Sequence, residues 1–186
     1  MRRIGILVLA WIFLLNFSCM GFCGDPRLTD IKVTNTRDNL ILYLTLTDCF
    51  TEEMNQAILS GVPTSFSIHI NLYQVKRFWR DAQLADMMIR HTIKFDHMKK
   101  EFTVARTWDK NGPHVTQSFE EAQQMMSKID NLEVIQLSKL NKGSQYQLCA
   151  KAELSEINLP FYLHYILFFV SLWDFETDWH AVDFLY

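Results

Sequence analysis

Two stretches of strict two-residue alternation constrain the fold of this chain more than any other feature of its sequence. The apolar positions that share one face are Leu40, Leu42, Leu44 and Leu46 in the first stretch and Phe66, Ile68, Ile70 and Leu72 in the second. Successive side chains of a β-strand point to opposite faces, so each stretch predicts a strand with one face in a core. A helix would scatter the same residues around its circumference.

Weaker signals extend the β pattern along the chain. Further strands are predicted at 28–33, 87–95, 101–108, 114–117, 132–137 and 145–154. The Asn111-Gly112 pair marks a tight turn, because both residues tolerate positive backbone angles. The pattern as a whole predicts a mainly β protein, an antiparallel β-sandwich of about eight strands, with two or three short helices.

The first two helices have clear start signals. Thr51 can cap a helix over 52–60 that ends at Gly61. Ser118 and Glu121 form a capping box for a second helix, whose apolar side chains are expected to continue as far as Ile129.

A third apolar segment, 159–172, leaves three interpretations open. In order of preference, these are a helix packed across a sheet, a buried strand, and a segment that dips into a membrane surface.

The N-terminus is set apart from this domain. Arg2 and Arg3 precede an uncharged apolar run, which is the pattern of a secretory signal. Residues 1–23 are therefore predicted to be a signal peptide, and residues 24–186 a single β-rich exported domain. We expect a periplasmic location.

Cleavage between Cys23 and Gly24 is one fate of this segment. An uncut segment would instead anchor the domain to the inner membrane, because its length is close to the ~20 residues of a membrane-spanning helix. Lipid attachment at Cys19 is the least favoured fate, since Asn16 stands where an aliphatic residue is needed.

Charge and cysteine content narrow the classes of partner and site. Loss of Arg2 and Arg3 takes the formal net charge from -3 to -5, so nucleic acid is not an expected partner. Cys49 and Cys149 remain in the exported part, where they either form one disulfide or stay as two free thiols. Their spacing matches no zinc or redox motif, and no cofactor is expected.

Several separated motifs stand out along the chain: Gly61-Val62-Pro63, Leu72-Tyr73, Arg77 to Asp81, Ser118-Phe119, Gly143, Tyr146, Leu159-Pro160, Trp173 and Asp178-Trp179. In this order they resemble the family catalogued as domain of unknown function 4390, exported proteins of Gram-negative bacteria. The resemblance covers nearly the whole exported part, and it implies location and architecture. It carries over no catalytic residue, and it does not require acids at positions 174 and 176.

Catalytic signals in the sequence are weak. His91 shares a predicted strand face with apolar residues, which favours a structural histidine over a catalytic base. The chain has no phosphate-binding glycine loop, nucleophile elbow or paired-cysteine motif. A catalytic function is therefore the less favoured interpretation.

Two stretches remain as candidate sites. Arg77-Phe78-Trp79-Arg80 follows a predicted strand, and aromatic residues flanked by arginines in a loop are typical of binding hot spots. Near the C-terminus, Asp174, Glu176, Asp178 and His180 would share one face of a last strand. That face is either a metal or acid/base site or the solvent side of a strand whose Trp173, Phe175 and Trp179 anchor it in the core.

The sequence thus favours a non-catalytic periplasmic module that binds an envelope or inner-membrane protein. An uncleaved N-terminus would give the protein a contact with the membrane. Two alternatives remain open: a metal-dependent or acid/base hydrolase of an envelope substrate, and a carrier of a hydrophobic ligand.

Overall fold

The computed structural model describes residues 25–77, 80–155 and 175–186. The predicted signal peptide and the apolar segment 159–172 lie outside these ranges. Nine strands lie within them: β1 (Arg27–Asn35), β2 (Asn39–Thr47), β3 (Thr64–Gln74), β4 (Ala82–Asp96), β5 (Glu101–Arg106), β6 (His114–Thr116), β7 (Lys128–Gln136), β8 (Gln145–Leu154) and β9 (His180–Leu185). Two α-helices, α1 (Glu52–Leu59) and α2 (Phe119–Ser127), and a 3-10 turn at Leu137–Lys139 complete the described elements.

The strands form two antiparallel sheets that stack as a sandwich. The smaller sheet has the order β1-β2-β7, and the larger has the order β6-β5-β4-β3-β8-β9. Side chains from both sheets meet in one hydrophobic core. The predicted fold class, an antiparallel β-sandwich with short helices, is confirmed.

The alternating stretches lie where the sequence pattern predicts. In β3, the inward side chains of Phe66, Ile68, Ile70 and Leu72 are 0–1% exposed. Leu42 and Leu44 of β2, in the facing sheet, are 0% and 2% exposed. Burial of large aliphatic side chains stabilises the fold by roughly 1.5–3 kcal/mol for each one, so these two strands supply much of the core energy.

Both helices begin at the predicted caps. The Thr51 hydroxyl accepts a hydrogen bond from the Met54 amide at 3.2 Å, and the Ser118 hydroxyl accepts one from the Glu121 amide at 3.2 Å. α1 buries Met54, Ala57 and Ile58. α2 packs against β4 and β5.

The predicted extent of α2 is wrong at its C-terminal end. The helix stops at Ser127, and Lys128 already has the extended backbone angles φ -111° and ψ 138°. Ile129 is buried as a strand residue opposite Leu44 of β2. Antiparallel pairing with β2 has overridden the helical spacing of the local sequence.

The last strand also differs from its prediction. β9 begins only at His180, and the preceding residues form an isolated bridge between Glu153 and Glu176. Phe175 does pack on Phe66, with ring centroids 5.2 Å apart. Trp179 is 50% exposed, so its predicted role as a core anchor is wrong. Trp173 lies outside the described residues.

Gly61, just after α1, lies close to His97, and a substitution at Gly61 tests this contact. Gly61 and Gly112 have nearly equal positive φ angles of +86° and +84°, which side chains rarely adopt. A Cβ at Gly61 would stand 3.2 Å from His97 Nε2, whereas a Cβ at Gly112 would meet nothing within 4 Å.

We expect Gly112→Ala to lower the free energy of unfolding by about 1–2 kcal/mol, the cost of a left-handed alanine. Gly61→Ala should lower it by about 1 kcal/mol more, because the His97 ring must also shift. Urea unfolding of the two variants measures the difference. Equal losses would contradict the close contact between Gly61 and His97.

Candidate functional site

The two edges of β4 are paired very differently. On one side, β4 pairs with β3 from Ala82 to Ile93. On the other side, its pairing with β5 starts at His91. The Thr107 amide and hydroxyl extend this contact to the backbone of Arg90, at 3.0 and 2.9 Å. Within the described residues, the segment 82–89 therefore has a neighbouring strand on one side only, and we call its unpaired side the open edge.

The backbone groups of the open edge can be assigned from the ladder. Arg90 directs its N–H and C=O toward the β5 side. Because alternate residues of a strand face alternate neighbours, Met88 and Asp86 direct theirs to the same side. The register with β3 is unbroken between Ile93 and Ala85, so this assignment holds along the segment. An unpaired row of this kind is a template for another strand.

A groove follows β7, an edge strand of the smaller sheet, and its middle part is also lined by residues of β4. Three hollows of about 420, 550 and 590 Å³ lie along it. The first two share Glu133 and the last two share Gln136, so they follow one another along β7. We call them together the β7 groove.

Core residues beside the β7 groove are less completely covered than those of β3. Leu132, Val134, Leu137 and Leu140 are 5–8% exposed. The middle hollow is also lined by Leu84 and Ala85 of β4. The floor of the groove is therefore partly apolar, and it lies next to the open edge.

The predicted hot-spot loop leads into this region. Arg77 and Arg80 are both exposed, while Phe78 and Trp79 lie outside the described residues. The base of the loop is closed by the Lys76 amide, which donates to Asp81 Oδ1 at 2.9 Å. Since β4 starts at Ala82, the loop stands at one end of the open edge.

His91 is fully buried, and both of its ring nitrogens have partners. Nδ1–H donates to the Met126 carbonyl at 2.7 Å, and Nε2 accepts from the Trp108 indole at 2.8 Å. Burial lowers the pKa of His91 from 6.5 to about 4, although the bond to Met126 opposes this effect. This neutral ring links β4, α2 and Trp108, the second residue after β5, and it has no nitrogen left for proton transfer.

A polar cluster at the start of the β5–β6 connection was not anticipated from the sequence. Asp109 accepts hydrogen bonds from the Asn111 amide at 3.0 Å, from His114 Nε2 at 2.8 Å and from Arg106. The Asn111 bond, followed by those from His114 and Arg106, holds the pKa of Asp109 well below its usual range. The only signal in the sequence was the turn that Asp109 opens.

This cluster shapes one end of the β7 groove. The Arg106 guanidinium carbon lies 5.0 Å from the centroid of the Trp108 ring, and Trp108, Asp109 and Asn111 line the first hollow. Lys110 reaches Glu133 across the hollow at 3.7 Å. The charges of the cluster are paired with one another, so their role is to fix the connection that closes this end.

The acidic C-terminal row is not assembled as a metal site in the described part of the chain. Glu176 pairs with Lys151, Asp178 is exposed, and His180 Nδ1 lies 3.2 Å from the Asp178 carbonyl. Among the residues that the structure describes, no group of three His, Cys, Asp or Glu side chains could hold a metal ion. Asp174 lies outside these residues. The predicted alternation fails because residues 177–179 are not a strand.

The two cysteines are free thiols in this structure. Cys49 is buried in the core, and burial raises its pKa to about 12. Cys149 is only partly buried, between the inward-facing Leu148 and Ala150 of β8. Its side chain therefore lies on the outer face of the larger sheet, away from the core that holds Cys49.

His91 should make the stability of the protein depend on pH. Above its unfolded pKa of 6.5 the ring is neutral in both states and carries no penalty. As the pH falls from 6.5 toward 4, the unfolded chain takes up a proton and the folded one does not. The free energy of unfolding should therefore fall by up to about 3 kcal/mol.

Urea unfolding near neutral pH and near the lower end of this window measures the loss. His91→Gln should be less stable at neutral pH but should lose about 2 kcal/mol less than wild type on acidification. The same acid loss in both proteins would contradict the buried neutral ring.

Searches of curated proteins and of solved structures found no match. None of the helices in the described ranges has the length and apolar character needed to cross a membrane. One family model matches residues 25–183, which covers every strand of the sandwich except the last two residues of β9. The chain therefore belongs to the family described as Domain of unknown function (DUF4390).

Proposed function

We propose that this protein is a non-catalytic interaction module of the cell envelope that binds an extended segment of a partner protein. The segment adds to the larger sheet as a strand along the open edge of β4. The observation that carries the proposal is the one-sided pairing of residues 82–89 within the described part of the chain. The register of β4 with β3 is unbroken from Ala85 to Ile93 and shifts once, between Gln83 and Ala85.

Strand addition suits the chemistry of this edge. The backbone groups of Asp86 and Met88 supply hydrogen bonds that do not depend on the partner's sequence, and side-chain pockets add selectivity. The open edge is bounded at one end by Thr107 and at the other end by the Arg77–Arg80 loop. Its eight β4 residues correspond to a length of roughly 27 Å.

The neighbouring surfaces indicate what such a segment looks like. Side chains on its inner face would meet Leu84, Ala85 and Val134, which line the middle hollow of the β7 groove. Side chains on its outer face would lie beside Met88, which is 54% exposed. A segment with apolar residues at alternate positions satisfies both faces.

The edge of β4 is a better acceptor than the edge of β7, because its pairing with β3 contains a single register shift, near the start of the strand. Pairing of β7 with β2 contains two register shifts, and Asn131 has a positive φ of 65°. Bulges of this kind twist an edge and hinder further pairing. In this proposal the partner segment pairs with β4, and β7 forms the opposite wall of the groove.

The location follows from the signal pattern of residues 1–23, which favours export. An exported module with a basic, aromatic loop beside its binding edge suits a partner in the envelope or inner membrane. No catalytic step is part of this role.

Site-specific photo-crosslinking in cells tests the proposal. A photo-reactive amino acid at Met88 should cross-link to a discrete envelope protein. The same residue at Val115 should not, although Val115 is similarly exposed at 58% on the edge strand β6. Cross-links from Met88 only to a second copy of this chain, or none at all, would overturn the proposal.

The captured partner then permits a backbone test. Met88→Pro removes an N–H from the open edge and leaves the bonds to β3 in place. Binding of the purified partner should weaken by about tenfold or more, while the melting temperature should change little. Unchanged binding by a folded variant would show that the edge is not used.

A further inference from the structure

The first hollow of the β7 groove, next to the β5–β6 connection, contains a fixed aromatic ring. The hollow measures about 420 Å³, a volume typical of small-molecule sites. Trp108 lines it together with Leu132 of β7, so part of its surface is apolar. The indole N–H of Trp108 donates to the buried His91 at 2.8 Å, and the Arg106 guanidinium lies over the ring without lining the hollow. These two contacts fix the orientation of the indole.

Two asparagine side chains line the same hollow. Asn111 belongs to the β5–β6 connection and Asn131 to β7, and both residues are exposed. Among the described residues, neither side-chain amide has a hydrogen-bond partner, since Asn111 bonds to Asp109 through its backbone N–H alone. A side-chain amide offers two donor hydrogens and an accepting oxygen. Both amides can therefore bond to a ligand in the hollow.

The backbone of β7 is irregular where it borders this hollow. Between Leu42 and Leu44 of β2, the opposing strand β7 uses three residue steps rather than two. Asn131 lies in this bulge and has a positive φ of 65°, which is uncommon for a residue other than glycine. Bulges are frequent next to active sites, where they redirect a side chain. The bulge sets the position of the Asn131 amide beside the hollow.

The charged residues around the hollow compensate one another. Lys110 lies 3.7 Å from Glu133, and Asp109 pairs with both Arg106 and His114. Each charged residue that lines the hollow in the described part of the chain therefore has a partner of opposite sign. An uncharged ligand can bind there without breaking an ion pair.

A peptide strand does not suit this part of the groove. The hollow lies beyond Thr107, which bounds the open edge of β4, and the bulge in β7 hinders strand pairing on the other side. Side chains must therefore provide the recognition. A matching ligand has an apolar face to cover Trp108 and hydroxyl or amide groups around its rim.

We infer that the first hollow binds an uncharged saccharide, with a sugar ring on Trp108 and its hydroxyl groups bonded to Asn111 and Asn131. The C–H groups on the face of a sugar ring are attracted to the negative face of an aromatic ring. Sugar hydroxyls both donate and accept hydrogen bonds, as the two amides do. This inference does not rest on the proposed function, because different residues form the open edge and the first hollow.

Isothermal titration calorimetry of the purified full-length protein with trisaccharides tests the inference. Maltotriose, cellotriose and triacetylchitotriose are the uncharged probes. Chitotriose is the charged control, because it differs from triacetylchitotriose only in its free amino groups. At least one uncharged probe should bind with millimolar affinity or better, and chitotriose should bind no more tightly than its acetylated form.

Two variants locate the bound saccharide. Asn131→Gly removes one amide, and glycine adopts the positive φ without strain, so the variant should fold. Its affinity for the saccharide should fall about fivefold, and Asn111→Ala should have a similar effect. Asp30→Gly is the matched control, because Asp30 has a positive φ of 51° at a register shift in β1, the other edge strand of the smaller sheet. It should bind as tightly as wild type.

The results that would overturn the inference are distinct from those that test the open edge. Failure of all the uncharged probes to bind, or tighter binding of chitotriose than of triacetylchitotriose, would overturn it. Saccharide binding that is unchanged in both Asn131→Gly and Asn111→Ala would place the site elsewhere and would overturn it as well. None of these results alters the cross-linking expected from Met88, so the two proposals can fail separately.

Discussion

The structure depends on β3, which pairs with β4 along its whole length and with β8 along all but its first two residues. Its register with β4 runs from Thr64 to Gln74, and its register with β8 runs from Phe66 to Gln74. Its inward side chains are fully buried, so neither neighbour can slip by one residue without turning an apolar face to water. β3 therefore holds β4 extended for 15 residues, although β5 covers only its second half.

That imbalance explains how a rigid sandwich keeps an unpaired edge. A strand supported by one neighbour and by a core stays regular, and its unused hydrogen-bonding groups stay aligned. Within the described ranges the smaller sheet has three strands, and its edge strand β7 leaves a groove beside β4. The open edge and the β7 groove are thus one consequence of two sheets of unequal width.

His91 and Asp109 are residue types that often act in catalysis, but in this structure they connect neighbouring elements of the sandwich. His91 gives one nitrogen to α2 and the other to Trp108, and Asp109 gathers three donors at the start of the β5–β6 connection. Both groups have strongly shifted pKa values for structural reasons, namely burial for His91 and hydrogen bonds for Asp109. For His91 and Asp109, the shifted pKa therefore reflects a structural role.

Local sequence signals predicted those parts whose energetics are local. The caps at Thr51 and Ser118 and the alternation of β2 and β3 depend on neighbours a few residues away, and these predictions are confirmed. The end of α2 and the exposure of Trp179 were wrong. Pairing with β2 decided the first, and the late start of β9 decided the second.

The sequence by itself determined the two-sheet β architecture, because the two-residue period is a property of the strand and needs no partner to be recognised. Only the tertiary structure decided which edges remain open, because an edge is defined by the strands that do not reach it. Trp108 and Asn131 are distant in the chain, and elements of two different sheets bring them to one hollow. No local pattern encodes that proximity, so the candidate binding site emerged only when β4, β5 and β7 were placed together.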